Sequence, residues 1–445
     1  MVYYCHKIKC GEDNTLLKTE KITLSPGATL TCAGTDKFKT GCMSVNLIIP
    51  LARETAAMGA LLPHVLRRGS AIHPDMESIA ELTDELYGAR IEPIVRKKGE
   101  LQCIGFYADF IDDDYVPAGD RILERVTELL GELLLRPRLR AGMLQADYVE
   151  SERSNLIDRI RAGINDKRSY AGNALLKNMC SGEPFGVNRI GDEIEARAIT
   201  AQALTAHYNH VFETARIEVF YCGHADTRRV ELAVRDMLNG LPRTVKSPEN
   251  FSTSILFEPP EKETREFREQ LDVSQGKLAL GFRMGKTMLE PDYPAFSVFN
   301  AAFGGSVTSK LFLNVRERLS LCYYASSTIE RHKGVMVVSS GVEFKNFETA
   351  RTEILAQLDS IRNGELSDWE FVSAKRAVMT AQLAALDRPL GLEESIFDLC
   401  IAGIPYTPDE LATLADVVTR EKVIEIANSI VLDSVYYLEG KGAAQ

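Results

Sequence analysis

Apolar and polar residues alternate along several short stretches of the chain and recur at helical spacing along longer ones. From Leu16, LLKTEKITLSPGATLTCAGT alternates on either side of Pro26-Gly27, which predicts strand, turn and strand. Residues 38–51, containing Met43-Ser-Val-Asn-Leu-Ile-Ile-Pro, predict another strand, and 53–68 (RETAAMGALLPHVLRR) a helix. A second helix over 76–86 closes on Tyr87-Gly88, with Gly88 as its C-cap. Strands follow at 90–95 and 101–108. Helices are expected over 118–135 and 139–162, separated by Pro137, then over 171–180 and from Thr200 to His210, before a strand at 216–222. Beyond residue 260 come a strand (277–283), a helix (292–303), a strand (334–341) and helices over 348–363, 367–386 and 392–402.

Between them lies FGGSVTSKLFLNVRERLSLCYY, residues 303–324. Leu311, Phe312, Val315 and Leu319 fall at helical spacing, with Ser309 as a candidate N-cap. The helix is expected to stop near Ser320, because Cys322-Tyr323-Tyr324-Ala-Ser-Ser-Thr-Ile reads as a strand. Arg316 is thus placed late in a helix and Tyr323 early in the next strand.

The ends of two long segments correspond. The helix containing Ala203 to His210 runs into TARIEVFYCG, and the helix containing Val423 to Ile430 runs into DSVYYLEG. Each reads as a helix entering a final strand that ends at Gly. With 241–260 rich in Pro, Ser and charge, the chain divides into halves 1–240 and 261–445 joined by a linker at 241–260. The fold class is α+β: two similar halves, each an antiparallel-rich sheet with helices on one face.

Charge and composition remove several functions. The formal net charge of −11 disfavours nucleic acid and anionic membranes as partners. No run of 18 apolar residues is present and the start lacks a signal-peptide core, so a cytoplasmic protein is expected. Nine scattered cysteines without a CxxC pair read as reduced thiols rather than a zinc ribbon. His207 and His210 (HYNH), with Glu213 and His224 after them, read as surface histidines at a helix end. Asp112-Asp113-Asp114 reads as a solvated acidic turn. His73 is placed in a loop, and His6 and His332 stand alone.

The pattern GG-x(3)-SKLF-x(2)-VRE-x(5)-YY resembles the second-half signature of the inverted-zincin metallopeptidases, the insulinase, pitrilysin and mitochondrial processing peptidase family. The resemblance extends over about residues 15–440, through Tyr87-Gly88-Ala89, Phe185-Gly186, Ile190-Gly191 and Ile199-Thr200. It implies that Arg316 and Tyr323 hold a substrate peptide, and that the halves meet as a clamshell around a cleft.

The family also carries His-x-x-Glu-His on a helix. Positions i and i+4 aim two imidazoles at one zinc, the intervening Glu serves as general base, and a later Glu completes the site. The corresponding segment here resembles Gly59-Ala60-Leu61-Leu62-Pro63-His64, with Ala60 in place of the first His, Pro63 in place of the base, and His64 retained. A proline is tolerated in the first turn of a helix, which implies a helix start near Gly59. The third-ligand pattern Glu-Arg-x(5)-Glu resembles Glu152-Arg153 through Arg159, with Arg159 where the carboxylate belongs.

The resemblance therefore implies a non-catalytic bacterial branch, the YfmF-like proteins, without the zinc cofactor of the family. It implies a peptide ligand, and as partner a zinc-motif-containing homologue in a heterodimer, or a second copy in a homodimer. Two alternatives stay open: a non-proteolytic scaffold, linked by resemblance to modification of elongation factor P, and a lone zinc endopeptidase with a rebuilt metal site.

Overall fold

The computed structural model describes residues 17–241, 253–256 and 258–441. The first half supplies β1 (Thr19–Ser25), β2 (Ala28–Gly34), β3 (Thr40–Pro50), β4 (Arg90–Lys98), β5 (Leu101–Ile111), a short hairpin of β6 (Leu139–Arg140) and β7 (Met143–Leu144), and β8 (Arg216–Gly223). The second supplies β9 (Arg265–Leu271), β10 (Gly276–Arg283), β11 (Cys322–Glu330), β12 (Val335–Val342) and β13 (Val431–Gly440).

The sheet orders are β1-β2-β8-β3-β5-β4 and β11-β12-β10-β13-β9. Read from opposite ends these are one plan. β2 and β9 each pair in parallel with the last strand of their half, and all other neighbours in the two sheets are antiparallel. Within these two sheets only β1 lacks a counterpart among the described residues.

The helices divide between the halves. α1 (Arg53–Leu66), α2 (Met76–Glu85), α3 (Ile122–Leu135), α4 (Ala146–Ala162), α5 (Lys167–Met179), α6 (Glu193–Ala198), α7 (Ala201–Thr214) and α8 (Thr227–Met237) belong to the first half. α9 (Tyr293–Asn300), α10 (Phe347–Arg362), α11 (Asp368–Ala385), α12 (Pro389–Ala402), α13 (Pro408–Asp416) and α14 (Arg420–Ser429) belong to the second. The chain is thus two similar α+β halves, as the patterning predicts. Most of the expected linker, 242–252 and 257, lies outside the described residues.

Each half packs its own helices on one face of its sheet, but the other face is not left open. The sheet of the second half takes α5 from the first: Ala171 and Leu175 lie against Ala279, Tyr436 and Leu438. The sheet of the first half takes α12 from the second, Leu392 and Ile396 lying against Ala33, Cys42, Phe220 and Cys222. The expected arrangement of helices on one face thus holds for each half, with a single helix of the other half added on the opposite face. The signature of this exchange is a strand buried on both sides. In β3, Met43, Val45, Leu47 and Ile49 enter the core of the first half, while Cys42 and Ile48 meet α12.

Other departures have local causes. Residues 139–144 form a hairpin instead of helix, because Ala141 and Gly142 adopt φ values of 51° and 78°, which no α-helix accommodates. β9 (REFREQL) has only Phe267 and Leu271 as apolar residues, too few for its alternation to signal a strand. The 303–324 stretch is π-wound over Ala301–Gly305 and Leu311–Arg318 rather than α-helical, a geometry that occurs mostly in short bulges and often at functional sites. Leu311 and Val315 are still buried there, but Leu319 turns outward.

Candidate functional site

α1 starts at Arg53, six residues before Gly59, so Pro63 sits in the third turn and not the first. The proline interrupts the hydrogen-bond ladder at a cost of roughly 3 kcal/mol for a helix interior. Burial of Leu61, Leu62, Val65 and Leu66 offsets that cost. Gly59 is fixed by its neighbour, since a Cβ there would stand 2.2 Å from Gln102 Oε1. Ala60 and Pro63 are buried; His64 is half-buried, on the side of α1 facing α4.

There it meets Arg159. Arg159 Nη1 donates to His64 Nε2 at 2.7 Å, so the two residues aligned with zinc ligands are in contact. Burial, with Arg159 and then Arg67 beside it, pushes the His64 imidazole down to about 4. It is thus neutral at physiological pH, and its lone pair is spent on a guanidinium. Burial also lowers the Arg159 pKa. The buried acid of this region, Glu152, is occupied by Arg68 (3.2 Å) and Asn155 Nδ2 (3.2 Å). These residues do not fit a zinc ion. Ala60 and Pro63 have no ligand atom, Arg159 brings a positive charge to the carboxylate's place, and His64 is engaged.

The second predicted pair lies in the other half. Arg316 is near the end of the π-wound segment, stacked over the Phe312 ring (4.7 Å) and 3.3 Å from Glu317. Tyr323 opens β11, an edge strand, and is 67% exposed. The β11–β12 register slips between Cys322 and Tyr324, so Tyr323 is the extra residue of a bulge. A bulge re-aims a side chain out of the pleat. Burial raises the pKa of the Cys322 thiol, opposed first by Ser340 and then by the charge of Arg316.

Sequence reading missed the support beneath Tyr323. Arg168, at the start of the exchanged helix α5, lies over the Tyr324 ring (4.4 Å) and donates to Ser326 Oγ (2.7 Å). Gly341 leaves room for that ring, for a Cβ would come within 2.5 Å of it. Nothing in the local sequence around Arg168 signals this contact, which depends on α5 crossing to the other half.

Among the described residues, His207 and His210 join no group of three potential metal ligands. His207 is buried, not at the surface as expected, because α7 turns it inward, and its Nε2 lacks a hydrogen-bond partner; His210 is exposed. Asp112, Asp114 and His224 come together, each with a potential ligand atom within 4.8 Å of the others; Asp112 is buried, and Asp114 and His224 are exposed. Buried Asp112 accepts the N–H groups of Asp114 and His224, and Asp114 is hydrogen-bonded to His224 Nδ1 at 2.5 Å. Among the described residues no helix is long and apolar enough to cross a membrane.

With this geometry in place, similarity to known proteins is informative. The family pattern described as "Peptidase M16 inactive domain" matches residues 198–378. A Bacillus subtilis protein named "Probable inactive metalloprotease YmfF" is 34% identical over 418 residues, covering 94% of this chain and 97% of that protein. A conserved protein from Enterococcus faecalis superposes with a TM-score of 0.85 at 26% identity, covering 95% of this chain and 99% of that one. A Pseudomonas fluorescens structure described as a peptidase M16 inactive domain superposes at 0.78 with 14% identity, over 96% and 100% of the two chains, a likeness of fold alone.

Proposed function

This chain belongs to the M16 peptidase family, among its inactive homologues, and from that premise we propose that it is the non-catalytic, substrate-gripping subunit of a heteromeric zinc metallopeptidase. The observation that carries the reading is an asymmetry. The zinc position is filled by the Arg159–His64 contact, whereas Tyr323 stands exposed on a bulged edge strand and Arg316, half-buried, lies near the end of the π-wound segment before it. An Arg offers several donors to peptide carbonyls and a Tyr hydroxyl adds one. Neither role needs a metal in the same chain.

The exchange of α5 and α12 bears on where the cleft lies. Inside this chain the sheet faces that would line one are filled by these helices. The clamshell is therefore assigned to the pairing of this chain with a second one, a homologue carrying an intact His-x-x-Glu-His. The peptide lies between the two chains, held by this one and cleaved by its partner.

Reconstitution with the zinc-bearing homologue tests the reading. Arg316→Ala and Tyr323→Phe are expected to leave assembly intact by gel filtration and to lower peptide turnover roughly 10- to 1000-fold, the range for lost positioning or charge-stabilising groups. Wild-type turnover from an assembled mutant pair would favour a scaffold without a proteolytic role.

A further inference from the structure

The arginines around the vacated zinc position differ in one respect. Arg67 is paired with Glu92 (3.2 Å), Arg68 with Glu152 (3.2 Å), Arg153 with Glu150, and Arg161 with Glu193 (2.8 Å). Arg159 has no carboxylate within ion-pair distance among the described residues. Asp158, its neighbour on α4, points away toward Arg161, 4.0 Å off. Of the five N–H donors of the Arg159 guanidinium, one is committed to His64 Nε2 at 2.7 Å and Nε leans on the Asn155 carbonyl at 3.4 Å. The others have no partner among the described residues. His64 steadies the group from one side, and buried Ala60 and Pro63 line α1 close by without any polar side-chain atom. Glu152, the acid whose charge acts on Arg159, is already paired with Arg68, so the result is an exposed, oriented cation without an acid of its own, in a chain whose net charge is −11.

We propose that this position is a carboxylate-binding site, with Arg159 as its anchor. The proposal rests on the peptide-binding reading above and narrows the peptide to one that presents a carboxylate here. A single planar guanidinium suits a carboxylate, which it can hold through two parallel hydrogen bonds. A phosphate would call for several unpaired cations, and Arg67 and Arg68 are already neutralised by acids. The carboxylate could be the C-terminus of the peptide or an Asp or Glu side chain, and the two sources are separable.

Three fluorescein-labelled (Gly-Ala)3 peptides provide the probes: one with a free C-terminal carboxylate, one amidated, and one amidated with a central Asp. Fluorescence anisotropy with the full chain is expected to show one or both carboxylate probes binding roughly 10-fold more tightly than the neutral amide, as for a charge-assisted pair. Which probe gains identifies the source. Arg159→Gln should abolish the preference, with its fold checked by thermal melting. As a second readout, the His64 ring resonances should move with sodium acetate and stay still with acetamide. Equal binding of the three probes, no measurable binding of either carboxylate probe at millimolar concentration, or a preference that survives Arg159→Gln overturns the proposal. A failure here is distinguishable from failure of the gripping role: if Tyr323→Phe still lowers turnover by the assembled pair, the grip stands and only the carboxylate site falls.

Discussion

His64 holds a position suited to a metal ligand but faces a guanidinium instead. Two outcomes follow at this scale. The purified protein should retain no stoichiometric zinc after dialysis, as read by metal analysis, because three of the four groups that would bind and activate it are Ala60, Pro63 and Arg159. About one tightly held zinc per chain, lost on His64→Ala, would contradict this. The imidazole itself should titrate near 4, against an ordinary value of 6.5, because burial and then Arg159 oppose its charged form. The unfolded chain protonates His64 at the higher pH. The contribution of this group to stability is therefore whole above about 6.5, falls as pH drops toward 4, and levels off below. Removing the neighbouring charge by Arg159→Gln should raise the midpoint seen in an NMR titration of the His64 ring. An unchanged midpoint would mean that burial and Arg67 set it without Arg159.

At the scale of helices and strands, α1 and α4 set how far the vacated site can be restored. Ala60→His with Pro63→Glu returns the motif to α1, but Arg159 still approaches from α4. A cation brought beside it in a partly dry site meets strong repulsion. The double variant should bind no zinc in a calorimetric titration, and adding Arg159→Glu should recover binding; zinc uptake by the double variant would place the third ligand elsewhere. The exchanged helix α5 gives a second case. Gly281 on β10 has no side chain because Met179 stands over it, and a Cβ there would come within 2.5 Å of its sulfur. Gly281→Val should cost about 1–3 kcal/mol by overpacking, measured by urea unfolding.

These elements also mark how much was legible in the sequence. Alternation in 16–35 and 38–51 gave β1, β2 and β3 nearly to the residue, and Tyr87-Gly88 marked the left-handed turn that ends α2. The family resemblance assigned His64 and Arg159 to one site, and the two side chains touch. What escaped depends on long-range packing or on unusual winding. α5 and α12 read as ordinary helices, and nothing in their periodicity says that they cover the sheet of the other half. The π-winding of 311–318 and the bulge at Tyr323 leave no trace in an apolar stripe, since both are set by how the backbone meets β12 and α10.

Across the whole molecule, the exchanged helices bury charge between the halves. Fully buried Arg283 on β10 binds Glu183 of the first half (2.6 and 3.1 Å) and Asp433 on β13 (3.0 Å). Buried Lys333 binds Glu100 (2.7 Å) and the same Glu183 (2.6 Å), and Glu393 on α12 takes Arg96 (two contacts of 2.9 Å) and Ser44 (2.7 Å). Such pairs return little net stability once desolvation is subtracted, but they penalise any other docking of the halves, because each misplacement strands a buried charge. Stability and grip should therefore separate cleanly between two sets of residues. Glu183→Ala leaves both Arg283 and Lys333 without their shared acid and should cost about 3–5 kcal/mol, the usual consequence of breaking a buried pair from one side. Tyr323→Phe removes an exposed hydroxyl and Arg316→Ala a half-buried guanidinium outside the core, and each should leave stability unchanged within about 0.5 kcal/mol. Denaturant unfolding of the three variants, read beside turnover by the assembled pair, decides the matter. If Tyr323→Phe destabilised the chain as Glu183→Ala does, its side chain would be part of the packing that joins helix to strand, and the grip would have to be sought in other residues on the exposed edge of β11.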